Sequence, residues 1–513
     1  MATPPLMIAL QLIAQIGHVP SVSYGCVETS NHDEHEFIRT SISVGKKSTD
    51  SGMDVDDKTR FPASSLSKIV FTYLVLQLVK DKHIDLDEPL YNILQYERFL
   101  VAGEYPTKAK ELTARHVLSH TTGLPNFAGS LSSPLIFDPK SELGKGYSYS
   151  GEAFLYLQKV IETKMGKDLE VLAKEYVFGP LEMERSTFIP PLKSDTNVVS
   201  VHTELGKSVP IYVGDPSVNA AGSLLTTGED FSKFIAGWLE NIDDPIIKHA
   251  FEPKSTEDLM TCGLGWHLYR QKDELVAYQF GENPNTRAFI AINVTTKKGA
   301  VFFTNSENGM SIANQMFNSQ ALVRIGTLQE LYKHLHYAQS DEPGWQETIL
   351  GKIAEVDGKF EEARGYFERA AEVAPTDETK LRRLQWFNAI HDLPIEKEFT
   401  TSLKAFVGNY ENRYNDDVEM SIREGSLIFK QFDQEIKLIR ITETDFLPEK
   451  DQTFKLRFDG EKMSISYVHG GLDKCLSKKA SPKSLLTYKE EMQQLRESQP
   501  GYLSAETKSQ FYL

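Results

Sequence analysis

Cysteine is scarce in this chain, with three in 513 residues, at Cys26, Cys262 and Cys475. Such wide spacing gives no disulfide framework and no paired metal ligands, and it fits a reducing compartment. Long apolar runs are missing too: Ile69–Val79 is too short to span a bilayer and contains Gln77, so no integral membrane segment is expected. Positive charge is in deficit. The net charge of −16 argues against nucleic acid or an anionic membrane as the main partner. There is no Gly-x-Ser-x-Gly elbow, no Gly-rich phosphate loop and no basic stripe, so elbow-type Ser–His–Asp hydrolysis and phosphate-loop chemistry fall away.

What remains is a globular composition, 40% hydrophobic and 25% charged, in a chain too long for one core. Met1–Ala14 is apolar but lacks a positive leading region, and reads as a docked helix rather than a cleaved leader. Cytoplasmic localisation is expected, with export by a route needing no N-terminal signal as the alternative. Ser21–Glu28 and Phe37–Gly45 alternate as a hairpin, joined through His32-Asp-Glu-His-Glu36, which reads as a solvated tip and not a metal cluster. Late strands return at Arg287–Val294 and Gly299–Thr304. Strands at both ends with helices between predict an α+β fold, an antiparallel sheet beside a helical insertion, over residues 1–325.

Residues 326–398 read as a helical spacer. Ala354, Gly358, Ala363 and Ala370, with Phe360 and Phe367 between them, resemble one tetratricopeptide unit, expected to pack on a neighbouring domain and offering a surface for a protein partner. Residues 399–480 alternate in short segments (Asp417–Arg423, Leu427–Phe432, Ile436–Ile441, Thr453–Phe458, Lys462–Val468) and predict an all-β domain. Residues 481–513, with Tyr488–Arg496, read as a polar helix and loose tail.

Chemistry concentrates at Phe61-Pro-Ala-Ser-Ser-Leu-Ser-Lys68, which runs into an apolar helix. Ser65 and Lys68 are three apart, so they share a face of the helix's first turn. A buried amine loses hydration, its pKa falls, and it can take the proton of a serine nucleophile. The other Ser-x-x-Lys match, Ser43-Val-Gly-Lys46, lies where a strand runs into a polar loop and lacks that setting. Tyr149, in a Gly-bounded turn before a helix, offers a second proton carrier if nearby cations stabilise its phenolate. His116 and His120 fall in a Thr-Thr-Gly-Leu-Pro stretch that reads as a structural turn.

Over roughly residues 5 to 325 the chain resembles the class C β-lactamase-like serine hydrolases, with their penicillin-binding-protein-like peptidases and esterases. The resemblance rests, in order, on Asp56–Lys68, Leu112–Leu124, Tyr149-Ser-Gly151, Ala220–Asp230 and Gly263-Leu-Gly-Trp266. The region from Leu403 resembles the lipocalin-like appendage of some such hydrolases. The likeness implies Ser65 as nucleophile, Lys68 and Tyr149 as proton carriers, the Ser65 and Glu282 amides as oxyanion hole, and no cofactor or metal. It places substrate contacts at Gln279, Phe280, Gly281 and Gly151.

Two positions depart from the family pattern. Gln279 stands where a Lys or His is usual, and Gly151 where an Asn is usual. Both weaken the case for β-lactam hydrolysis and leave that for ester or peptide cleavage of a small-molecule or peptide substrate. A catalytically impaired scaffold of the same fold is the alternative.

Overall fold

The computed structural model describes residues 4–478 apart from 31–35, 102, 129–131, 193–194, 210, 212–217, 258–259, 272, 327, 336, 392–398, 412–417, 432–433, 450–453 and 468–473. The histidines of the acidic loop tip and the whole 481–513 tail lie outside the described residues. The described residues divide into two compact units, one of residues 4–334 with Gln339–Asp341, the other of Leu335, residues 337–338 and residues 342–478.

The first unit is built on a sheet whose strands come from both ends of its sequence. Ser21–Thr29 (β1) is buried on both faces for most of its length, whereas Phe37–Gly45 (β2) alternates between exposed and buried, as an edge strand should. The remaining strands are Ser255–Glu257 (β3), Met260–Cys262 (β4), His267–Gln271 (β5), Glu274–Asn283 (β6), Thr286–Asn293 (β7) and Lys298–Thr304 (β8). The eight run in the order β2-β1-β8-β7-β6-β5-β4-β3, with every neighbouring pair antiparallel. The late strands and the hairpin match the expectation from sequence. The short β3 and β4 were not legible, because three residues carry no alternation to read.

Helix Pro4–Ile16 (α1) buries Leu6, Leu10, Ile13 and Ala14, as a docked N-terminal helix. Ser67–Lys80 (α2) is buried on nearly every side, the pattern of a central core helix rather than a surface one. Gly151–Met165 (α3) starts on Ser150, whose hydroxyl accepts from Ala153 N, and stops at left-handed Gly166. Gly228–Glu240 (α4) is capped by Thr227 and crosses β1 at very short range.

At that crossing a Cβ on Gly25 would lie 2.0 Å from Gly228 O, and one on Gly228 would lie 2.4 Å from Tyr24 O. Backbone meets backbone there, so neither glycine has room to grow.

In the second unit, Trp345–Val356 (α5), Phe360–Val373 (α6) and Glu378–His391 (α7) pack around Ala354, Ala363, Phe367 and Phe387. Helix α7 supplies Phe387 to the face of the helical pair. Beyond it, eight antiparallel strands from Gly408–Glu411 to Lys474–Lys478 close into a barrel. Its interior is filled by side chains such as Tyr410, Phe429, Phe446, Phe458 and Met463.

Gly228→Ala is expected to destabilise the chain by about 2 to 3 kcal/mol through overpacking, measured by denaturant unfolding. Wild-type stability in that variant would contradict the close crossing.

Candidate active site

The turn carrying Ser65 is built before the helix, not within it. Sequence spacing puts Ser65 and Lys68 together in the helix's first turn. The structure has a 3₁₀ turn, Ser64–Leu66, feeding α2, so Lys68 alone lies on the α-helix. Ser64 is the cause: its φ of +50° is left-handed and bends the chain just ahead of Ser65. The corner is held by Ser67, whose hydroxyl donates to Ser64 O at 2.6 Å and accepts from Leu224 N at 3.1 Å. Ala63 N adds a bond to Leu224 O at 2.8 Å.

Strand β6 closes on the same corner. A Cβ on Gly281 would stand 2.5 Å from Ala63 O and 3.1 Å from Ser64 Cβ, so the approach depends on glycine. The register of β6 with β5 ends at Tyr278↔His267, while with β7 it continues to Asn283↔Thr286. Among the described residues, the Gln279–Asn283 half of β6 therefore has strand pairing on one side only and runs its other edge beside the Ser65 turn.

Lys68 is 2% exposed. Its Nζ donates to Ser65 Oγ at 3.1 Å and to Ala221 O at 2.7 Å. The Tyr149 ring lies under the amine, 4.8 Å from centroid to Nζ, and Phe154 is next at 5.8 Å. Burial pushes the amine from its usual 10.5 down to about 7. Near neutrality a large fraction of Lys68 is thus an uncharged base aimed at Ser65.

Tyr149 converges on the same point but in a different state from the one expected. Burial drives its phenol pKa upward, and the Glu282 charge adds to the rise. The neighbouring Ser65 hydroxyl only partly offsets it. The expected phenolate is therefore corrected: at neutral pH Tyr149 is a protonated donor, because it is enclosed and faces an acid. Gln279 is fully enclosed, with Nε2 on Gly265 O at 3.4 Å and Oε1 accepting from Phe280 N at 3.0 Å. Its amide is turned inward here, toward the Gly265 carbonyl. Phe280 stacks on His267 with centroids 5.6 Å apart.

Two histidines back the phenol: His120, read from sequence as part of a structural turn, and His267, which sequence reasoning passed over. His120 stacks on Tyr149 at 4.5 Å, takes a left-handed φ of +54°, and accepts from Ser150 N at 3.2 Å through Nδ1. Its turn is structural as expected, but the ring sets the Tyr149 plane. His267 accepts or donates at 2.8 Å with the Tyr147 hydroxyl through Nε2. Burial lowers the pKa of both, with His267 brought down to about 4, Lys68 adding to the fall and Gln279 opposing it. His116 is remote from this chemistry and serves the Thr113 capping box. The only sequence signal for His267 was its place directly after Gly263-Leu-Gly-Trp266. Among the described residues no group of three or more His, Cys, Asp or Glu side chains is placed to hold a metal ion.

A family model described as Beta-lactamase matches residues 19–324, more than half the chain. The chain belongs to the beta-lactamase family. Among solved structures, it is similar to the octameric penicillin-binding protein homologue from Pyrococcus abyssi, at 15% identity and a TM-score of 0.51, over 93% of this chain and 100% of that one. A class C beta-lactamase matches at 15% identity and TM-score 0.52, over 62% of this chain and 95% of its own. The D-alanine carboxypeptidase AmpC from Burkholderia cenocepacia matches at 17% identity and TM-score 0.50, over 59% and 93%. At these identities the likeness is one of fold.

Within this beta-lactamase fold the other signature stretches act as supports. Gly265 (φ +75°) lets its loop lie against Thr72 of α2, and its N–H reaches Leu118 O at 2.7 Å. The Ala220–Asp230 stretch supplies the Ala221 carbonyl to Lys68. Its Leu225–Thr226 segment pairs with Phe61–Pro62, directly before the Ser65 turn.

Burying Lys68 carries a cost that fixes a pH signature. Between about 7 and 10.5 the unfolded amine holds its proton while the folded one has shed it. The unfolded chain binds more protons in that window, so stability rises with pH across it. Lys68→Met removes this penalty and is expected to be more stable than wild type at neutral pH, the gap narrowing as pH climbs. Parallel denaturation at several pH values checks it; a variant less stable at neutral pH would contradict the burial-driven shift.

Proposed function

We propose that the chain is a serine hydrolase that cleaves ester or amide bonds through an acyl-enzyme on Ser65. One observation carries the reading: a buried amine, titrating near 7, sits 3.1 Å from the Ser65 hydroxyl. Ser65 Oγ attacks the carbonyl carbon while its proton passes to neutral Lys68. The oxyanion lies between the Ser65 and Glu282 amides, an arrangement supported by the close passage of Gly281 over Ala63 and Ser64. As the bond to the leaving group breaks, Tyr149 donates its proton and recovers one from the Lys68 ammonium. Water then attacks the acyl carbon, giving a proton to Lys68, and the acid leaves as Ser65 regains its hydrogen.

Lys68 rather than Tyr149 is the base in deacylation, because the phenol holds its proton through the neutral range. The enclosed, uncharged Gln279 supports esterase or D-peptidase-like turnover with little or no β-lactamase activity.

The same Gln279 favours a second reading, a binding or scaffold protein that keeps the fold without turnover. The readings separate on two measurements. A fluorophosphonate should label wild type and not Ser65→Ala, with a labelling rate that rises with pH about a midpoint near 7. A wild type that resists labelling, and hydrolyses generic esters only after Gln279→His, would establish the scaffold instead.

A further inference from the structure

The turn that carries Tyr149 is fastened from two directions. On one side it lies on the loop of His120. Ser148 N donates to His120 O at 2.7 Å, Ser150 N to His120 Nδ1 at 3.2 Å, and Ser150 Oγ to Pro125 O at 2.8 Å. On the other side it reaches the sheet. The Tyr147 hydroxyl shares a hydrogen bond of 2.8 Å with Nε2 of His267, the first residue of β5. Tyr149 is thus held between one neighbour tied to the sheet and two tied to the His120 loop.

The rings show what the sheet tie controls. Tyr149, His120 and His267 lie nearly parallel. His120 is inclined 27° to Tyr149 with centroids 4.5 Å apart, and His267 is inclined 17° at 6.4 Å. The two imidazoles differ by 11° at 6.4 Å. Tyr147 stands across them, at 68° to His120 and 60° to His267, with centroid distances of 5.8 and 5.7 Å. Its ring therefore braces both imidazoles that border Tyr149.

Both imidazoles are buried. A buried ring nitrogen deprived of its hydroxyl partner keeps the full desolvation penalty, and the ring turns to recover a partner. Rings packed this closely do not turn singly, so Tyr149 moves with them. Its position is critical, because Ser65 and Lys68 are already fixed by their own bonds, with Nζ 4.8 Å from the Tyr149 centroid.

Building on the hydrolase reading, we propose that Tyr147 and His267 form a positioning pair for the acid step: their hydrogen bond holds the Tyr149 hydroxyl where it protonates the departing oxygen. Both act through Tyr149 and not on the reacting atoms. Their effect then depends on the leaving group. An alkoxide must take the Tyr149 proton as the C–O bond breaks, whereas p-nitrophenolate departs as a stable anion and needs little help.

The p-nitrophenyl and p-nitrobenzyl esters of butanoic acid test this, since they share an acyl group and expel an aryl oxide and an alkoxide. Tyr147 is half-buried, and Tyr147→Phe keeps the ring while losing only the hydroxyl. Its kcat/KM should fall about tenfold on the p-nitrobenzyl ester, part of what a whole general acid contributes, and stay within about twofold on the p-nitrophenyl ester. His267→Leu should discriminate in the same way, and the double variant no more than either single one. His267→Gln keeps an amide that can pair with the Tyr147 hydroxyl and should retain most of the wild-type ratio. Added to Tyr149→Phe, Tyr147→Phe should bring no further discrimination, because no acid is left to position.

Equal losses on the two esters, no loss on either, or a further p-nitrobenzyl loss in the Tyr149→Phe background would overturn the proposal. Fluorophosphonate labelling of Ser65 is followed in every protein. An unlabelled wild type brings down the hydrolase reading and this inference with it; labelled proteins without leaving-group discrimination bring down the Tyr147–His267 pair alone.

Discussion

The desolvation of one amine organises this fold's chemistry. Lys68 is placed on a helix that is wrapped by core on nearly all sides, and its Nζ is shared between the Ser65 hydroxyl and the Ala221 carbonyl. No surface lysine would serve, because hydration would keep it charged. The surrounding groups keep that environment. His120 and His267 are both neutral at physiological pH, Tyr149 keeps its proton, and Gln279 adds no charge.

Backbone strain and close approach secure the geometry. Two non-glycine residues of the site, Ser64 and His120, take left-handed conformations, one shaping the nucleophile turn and the other laying a ring on Tyr149. Gly281 allows strand β6 to press on the Ser64 corner, and Gly265 lets the neighbouring loop press on α2. Among the described residues the buried His120 Nε2 has no hydrogen-bond partner, so polar satisfaction has been given up locally at the site.

Much of this was legible in the residues and some was not. The Ser65–Lys68 pair could be read directly, since three-residue spacing on an apolar helix fixes proximity without tertiary knowledge. The hairpin, the late strands, the N-terminal helix and the β-rich end were visible as periodicity. Tyr149 stood out only in combination with Ser65 and Lys68, because little beyond its Gly-bounded turn distinguishes it from Tyr147. The Ala221 carbonyl had no signal, since a main-chain oxygen is the same in every residue. His267 was missed because it acquires its neighbours from remote loops and strands. The phenolate expectation failed for a related reason: burial, which decides the pKa, is a property of packing and not of spacing.

The account turns on the charge state of one nitrogen, which can be observed directly. In protein carrying ¹³C at the lysine ε-carbon, with Lys68→Met used to assign the signal, the Lys68 resonance should titrate with a midpoint near 7. A midpoint close to the ordinary 10.5 would show an ammonium in contact with water, and the proposed base would be lost.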